Sequence, residues 1–340
     1  YTVTHVQPLG YGDVSTTAGS LGGGDDSSPN VIADITIIND PSVVEYGGNV
    51  FVESYSSVSG TVFVDLNNDG VQDPGEVGIE GVEVTLAGTD AASNPVDVTV
   101  TTDADGNYVV ADVLGGDYTL TETHPTAYLD GTDTAGPVAG VATNPGDQVT
   151  GLLLPVGIDA TGYTCAELPA ASISGAVLDA NGDPIKGVEI TLTGTDDLGP
   201  VSIVTDTLAD GSYSFDGLRP GTYAVTETQP AGYGEGGETS DDASADVSVA
   251  SVISNLVLEP GETNGNNVFT DTYSSVSGTV FHDLDDDGVQ TAGEVGIRSV
   301  EVTLTGTDAA GNPVDLTVTT DADGNYVFAD VLGGDYTLTE

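Results

Sequence analysis

The sequence lacks most of what an enzyme or a nucleic-acid binder works with. It has no Trp and no Met, a single cysteine, three histidines and three basic side chains, Lys186, Arg219 and Arg298. One cysteine excludes an intrachain disulfide. Cys165 is then a bystander, exposed or partly buried, or one half of an intermolecular bond. Against the three basic groups stand 55 acidic ones, a formal net charge of -52. Such a surface repels nucleic-acid phosphates and anionic lipid, so neither is an expected partner. No signal segment, transmembrane run or sorting motif occurs in this window, so direct membrane insertion is not expected. His5, His124 and His282 sit at unrelated places, with no nucleophile and base side by side and no phosphate loop. Each is expected to be a surface strand residue, and an enzyme is not expected.

An apolar stripe of helical period is also missing. Valine, threonine, aspartate and 47 glycines dominate instead, so β-branched residues and turns outnumber good helix formers and the chain reads as all-β. The surplus acid has an ordinary reading, solubility or adaptation to high salt. That reading leaves unexplained why acids gather at fixed loop positions. Self-repulsion at this density weakens a fold unless counter-ions or divalent cations offset it.

What is present in abundance is repetition. Residues 55–122 and 273–340 align without a gap, with 57 identities in 68 positions. A near-perfect long repeat points to an array of modules. VSGTVF opens at Val58 and Val276, and a variant, ISGAVL, opens at Ile173. YTLTETHP at Tyr118–Pro125 is matched by YAVTETQP at Tyr223–Pro230 and YTVTHVQP at Tyr1–Pro8. Four segments follow. Residues 1–54 are the back half of a short type, 55–168 a complete loop type, 169–271 a complete short type, and 272–340 the front part of another loop type. A window of this kind is expected either from a longer continuous chain or from chains that complete each other by strand addition. Duplication of the YTVTH strand as YTLTE favours the first.

Within a module, apolar residues alternate with period two. Val82, Val84 and Leu86 are predicted to face a core while Glu83 and Thr85 face water. Val98 and Val100, Tyr108 and Val110, and Tyr118 and Leu120 continue the pattern, separated by DADGN and LGGD turns. About seven short strands per module fit a two-sheet, immunoglobulin-like sandwich. Phe63, Phe215, Phe281 and Phe328 are expected to add core bulk.

Each loop-type copy carries a twelve-residue acidic stretch, DLNNDGVQDPGE at Asp65–Glu76 and DLDDDGVQTAGE at Asp283–Glu294. Oxygen donors fall at positions 1, 3, 5, 9 and 12: Asp65, Asn67, Asp69, Asp73 and Glu76. Gly70 sits at the sharp turn of position 6, and Val71 offers its carbonyl at position 7. That is the spacing of an EF-hand calcium loop, in which calcium takes six to eight oxygens and the last Glu binds with both of its own. The second copy keeps Asp283, Asp285, Asp287, Gly288, Val289 and Glu294, with Thr291 as a weaker ninth-position donor. Strands rather than helices flank the loop, so stiffening is expected and a sensor-type opening is not. A lesser set, Asp103, Asp105 and Asn107 with Asp321, Asp323 and Asn325, reads equally as a hairpin turn.

The stretches SGTVFVDLNNDGVQDPGEVGIEGVEVTL, TTDADGNYVV and LGGDYTLTETHP closely resemble the B domains of serine-aspartate repeat surface proteins. The short module is similar to the collagen-adhesin B-type or carboxypeptidase regulatory-like domain, through PIKGVEITLTG and DGSYSFDGLRPGTYAVTETQPAGY. The resemblance implies an extracellular, calcium-stabilised stalk of prealbumin-like sandwiches. Many collagen-adhesin B-type domains also cross-link a lysine to an asparagine, helped by a Glu at the place of Glu122, Glu227 and Glu340. The first-strand lysine is missing here and His5 replaces the Glu in the first fragment, so that cross-link is not expected. The expectation for function is a cell-surface filament that extends or associates end to end. The alternative is a set of adhesin modules that recognise protein or glycan.

Overall fold

The computed structural model describes residues 1–19, 25–28, 30–36 and 48–340, and among these every regular element is a β-strand. The chain forms two compact units, residues 1–170 and 171–340. In the first unit, the loop-type module is a sandwich. One sheet holds, in order, Leu129–Asp130, Asp159–Leu168, Ser56–Val64 and Asn107–Val113. The other holds Val141–Ala142, Gln148–Leu154, Gly116–Glu122, Glu83–Asp90 and Pro95–Thr101. Val58, Val62, Val84, Leu86, Tyr108, Tyr118, Leu152 and Tyr163 fill the space between the sheets.

The opening strand, Ser56–Val64, runs parallel to the closing strand, Asp159–Leu168, and antiparallel to Asn107–Val113. Parallel neighbours need a long connection, here the rest of the module. The two backbones approach so closely that a Cβ on Gly60 would lie 1.6 Å from the Tyr163 carbonyl oxygen. The freed space admits the Tyr108 hydroxyl, which donates to that same oxygen at 2.9 Å. In the second unit the short module repeats the arrangement. Gly175 faces the Asn267 carbonyl, and Tyr213 donates to it at 2.8 Å. Its sheets follow the same strand order around Ala171–Asp179 and Thr263–Thr272.

The end fragments keep the pairings of the halves they correspond to. Gly12–Thr17 pairs with Val50–Ser54 as Gly234–Thr239 pairs with Thr263–Thr272. At the other end, Ser274–Thr279 pairs with Asn325–Val331 as Ser56–Val64 pairs with Asn107–Val113. The closing strand of the short module reaches Thr272, one residue past the expected boundary.

Most expected core positions are buried, including Val82, Val84, Leu86, Tyr108, Val110, Tyr118, Leu120, Phe63, Phe215 and Phe328. Three expectations need correction. Val98 is exposed and Val100 only half-buried, because Pro95–Thr101 is an edge strand that covers the core obliquely. Phe281 is half-buried. Cys165, placed on the inner face of the closing strand, is fully inside.

Each unit also contains the same junction between a short-type and a loop-type segment. In the first, the Gly115 N–H donates to the Gly10 carbonyl at 2.9 Å, and the rings of Tyr11 and Tyr55 lie 5.1 Å apart. In the second, the Gly333 N–H donates to Gly232 at 2.6 Å, and Tyr233 lies 5.3 Å from Tyr273. Gly10 and Gly232 adopt φ of +88° and +89° against the side chains of Leu114 and Leu332. Tyr273 adds a hydroxyl bond of 2.6 Å to Asp179.

Candidate metal centre

The acidic loop leaves the opening strand at Val64 and returns at Val77. Its neck is closed by a short antiparallel ladder, with Val64 N–H to the Val77 carbonyl and Ile79 N–H to the Val62 carbonyl, both 2.9 Å. Beyond the neck a buried threonine pins the returning chain. Thr102 accepts from the Val82 N–H at 2.9 Å and donates to the Ile79 carbonyl at 2.6 Å. The second copy closes identically, through His282 to Val295 and Ile297 to Val280, with Thr320 in place of Thr102.

Inside this neck the predicted donors converge. Asp65 is fully buried and accepts backbone N–H groups of Asn67, Asn68 and Gly70 at 3.0, 2.5 and 2.8 Å. Asp69 accepts the Val71 N–H at 2.9 Å. Glu76 folds back across the loop, accepting from Leu66 at 2.8 Å and Asp73 at 2.7 Å. The Asn67 amide nitrogen bridges Asp69 and Asp73 at 3.1 and 3.2 Å. It thereby supplies the positive end of a dipole between two carboxylates. Gly70 turns the chain at φ +74°.

In the second loop that amide is replaced by Asp285. Carboxylate oxygens of Asp283, Asp285 and Asp287 lie within 4.8 Å of one another. Backbone N–H groups, led by Gly288, hold the Asp283 carboxyl below its usual range, and those of Leu284 and Thr291 do the same for Glu294. Val289 donates to Asp287 at 2.7 Å and Thr291 donates its N–H to Glu294 at 2.6 Å. Both loops thus present oxygens of the type that calcium takes, and the second brings three carboxylates together with no side-chain amide between.

The lesser candidates form hairpin turns. Asp103 accepts the N–H groups of Asp105 and Asn107, while the Asn107 amide oxygen accepts from Thr61 at 3.1 Å. Asp321, Asp323 and Asn325 repeat this, with Thr279 on Asn325 at 2.9 Å. An Asx turn accounts for these residues.

The sequence reading missed a second gathering of acids inside each sandwich. Glu122 and Glu167 approach from opposite sheets and are both buried, with Asp133 beside them. Burial pushes Glu167 up to about 10 and Asp133 up to about 8, and it raises Glu122 as well. Glu227 and Asp271 form the matching pair in the short module, where burial first, then the neighbouring carboxylate, pushes Glu227 up to about 8. The side chains facing Glu122 and Glu227 are thus carboxyls, and Lys186 is exposed in its turn, away from either. His5 and His124 are not plain surface residues either. His5 stacks on Phe51 at 5.0 Å and faces Glu53 at 3.3 Å, and His124 faces Glu167 at 3.3 Å. His282 is exposed, as expected.

Residues 56–154 and 274–340 match the SdrD B-like domain family, and residues 172–268 match the carboxypeptidase regulatory-like domain family. Serine-aspartate repeat-containing protein D of Staphylococcus aureus (strain Newman) is 31% identical over 343 residues, covering 97% of this chain and 25% of that protein. Serine-aspartate repeat-containing protein F of Staphylococcus epidermidis is 31% identical over 325 residues, covering 91% of this chain and 18% of that protein. The chain therefore spans a quarter or less of the length of these relatives. Among solved structures, the Bacillus anthracis TIE protein aligns with a TM-score of 0.36 at 16% identity, over 86% of this chain and 49% of that one. Two B repeat units of the collagen binding protein of Staphylococcus aureus align with a TM-score of 0.20 at 20% identity, over 83% and 68%. The chain is a tandem of all-β, immunoglobulin-like modules that resemble the SdrD B-like domain in the loop-type copies and the carboxypeptidase regulatory-like domain in the short copy.

Proposed function

We propose that this chain is a calcium-stiffened stretch of an extracellular stalk or filament at the cell surface, extended end to end module by module. The observation that carries the reading is the acidic loop itself. It is built twice, with the same neck and the same carboxylate-to-backbone bonds. Calcium, when bound, supplies positive charge that lets Asp65, Asp69, Asp73 and Glu76, or Asp283, Asp285, Asp287 and Glu294, stay ionised side by side. Because the loop neck continues into the opening strand, an inner strand of its sheet, and into the Thr102 clip, fixing the loop also anchors the sandwich. Ligand that binds only the folded state adds about 2.7 kcal/mol of stability at 100 times its dissociation constant.

The repeated Gly10–Gly115 and Gly232–Gly333 junction supports the stalk reading. A joint built once from hydrogen-bonded glycines and paired tyrosines is a contact, whereas the same joint in both units is a way of adding modules. The reading is structural and not enzymatic. Small-angle scattering of the whole chain tests it: with calcium the profile should fit a semi-rigid rod, and chelation should broaden the distance distribution toward a flexible string. Superimposable profiles in calcium and in chelator would contradict it.

A further inference from the structure

We propose that His124, Asp147 and Glu167 form a site for a zinc-like divalent cation, separate from the acidic loops. The three residues come from three places. His124 lies two residues past the strand Gly116–Glu122. Asp147 immediately precedes Gln148–Leu154. Glu167 is the penultimate residue of the closing strand. One ligand atom from each lies within 4.8 Å of the others.

The tautomer of His124 makes the case. Its Nε2 lies 3.1 Å from the Tyr128 carbonyl, which can only accept, so the ring proton sits on Nε2. Nδ1 is then a bare lone pair. It points at Glu167 Oε1 at 3.3 Å and Asp147 Oδ1 at 3.5 Å. With both carboxyls ionised, three lone pairs aimed at one point repel unless something positive lies between them. Nδ1 has no hydrogen-bond partner, and Glu167, a side chain with 1% exposure, has the Glu122 carboxyl on its other side. A proton, on the ring or on Glu167, or a metal ion fits there.

Geometry and donor type favour the metal. In a tetrahedral site with bonds of about 2.0–2.1 Å, neighbouring ligand atoms lie roughly 3.3–3.4 Å apart. The His124–Glu167 separation of 3.3 Å matches that edge, and the His124–Asp147 separation of 3.5 Å lies just above it. An imidazole with two carboxylates suits zinc, whereas calcium and magnesium take oxygen. Donation of the other ring N–H to a backbone carbonyl is the usual support of a ligating histidine. The His124 and Asp147 side chains are each about a third exposed, at 31% and 32%, which leaves an entry path and a fourth position for water.

The short-type segments provide an internal control. Gln7 and Gln229 occupy the place of His124, and each donates its amide to the corresponding carboxylate, Glu53 or Asp271. There a fixed N–H fills the position that His124 leaves to a cation. His124→Gln should therefore fold like the other segments while losing the site.

The test is isothermal titration of zinc into the full chain, first saturated with calcium so that the acidic loops are occupied. The wild type should show one saturable site per chain that is weakened at least tenfold in H124Q and in Asp147→Asn, with unchanged calcium melting curves in both. Zinc should raise the melting temperature of the wild type and leave that of H124Q in place. Zinc binding equal in wild type and H124Q would overturn the assignment. So would an absence of saturable binding together with a doubly protonated His124 ring in the nuclear magnetic resonance spectrum.

Discussion

Asp65 shows how a single carboxylate can be both buried and useful. Its oxygens are taken up by three backbone N–H groups of its own loop, so the side chain is locked before any ion arrives. Glu76 is held across the loop in the same way. In the proposed calcium site its last-position carboxylate would contribute two oxygens, so Glu76→Gln should weaken the first loop by a factor of ten or more. Calorimetric titration should then count one strong calcium fewer per chain, with the second loop unaffected. The turn of this loop was legible in the sequence because all twelve positions are local. Glu122 and Glu167 were not. They lie on different sheets, and only the closure of the sandwich brings them together. The Glu227–Asp271 pair carries a pH signature. A carboxyl raised to about 8 from 4.5 favours the fold while protonated. Its contribution is complete below about 4.5 and is lost as pH rises through about 8. The melting temperature of the wild type relative to Glu227→Gln should therefore fall steadily between pH 5 and pH 8. A constant difference would show that the pair does not titrate with folding.

At the scale of elements, the parallel opening and closing strands define each sandwich, and the period-two pattern located most of their inward residues. Val84, Leu86, Tyr108 and Tyr118 were readable for that reason. Val98 was misread because an edge strand keeps the alternation after it has lost the second layer that would bury it. The glycine of the VSGTVF motif was read only as part of a ruler. The structure shows its cause in the carbonyl of Tyr163, which leaves no room for a Cβ. The junctions between modules were invisible, since glycines and tyrosines in turns have many uses. Gly232 sits at φ +89° with Leu332 Cβ 3.1 Å from where its own Cβ would lie. Gly232→Val should strain this turn by about 1–2 kcal/mol and press the modules apart. Limited proteolysis should then cut near Tyr273 faster than in the wild type, while the melting of the short module stays the same. Equal cleavage rates would remove the junction as a source of stiffness.

For the whole molecule the governing quantity is the charge of -52 carried on modules that each bury only a modest apolar core. Repulsion of this size loosens folding, and divalent cations held in the acidic loops as proposed would counter it. The fold class was legible because the period-two pattern and its turn signals recur along the chain. How the modules meet was not, because it rests on close approach of backbones. The central claim is that calcium in the acidic loops sets the stability of the array. The most direct measurement is thermal melting of the chain with parallel protease digestion, in calcium and after chelation. The account predicts a melting temperature lower by several degrees and rapid cleavage within residues 65–76 and 283–294 once calcium is removed. Identical melting and identical digestion in the two conditions would contradict it.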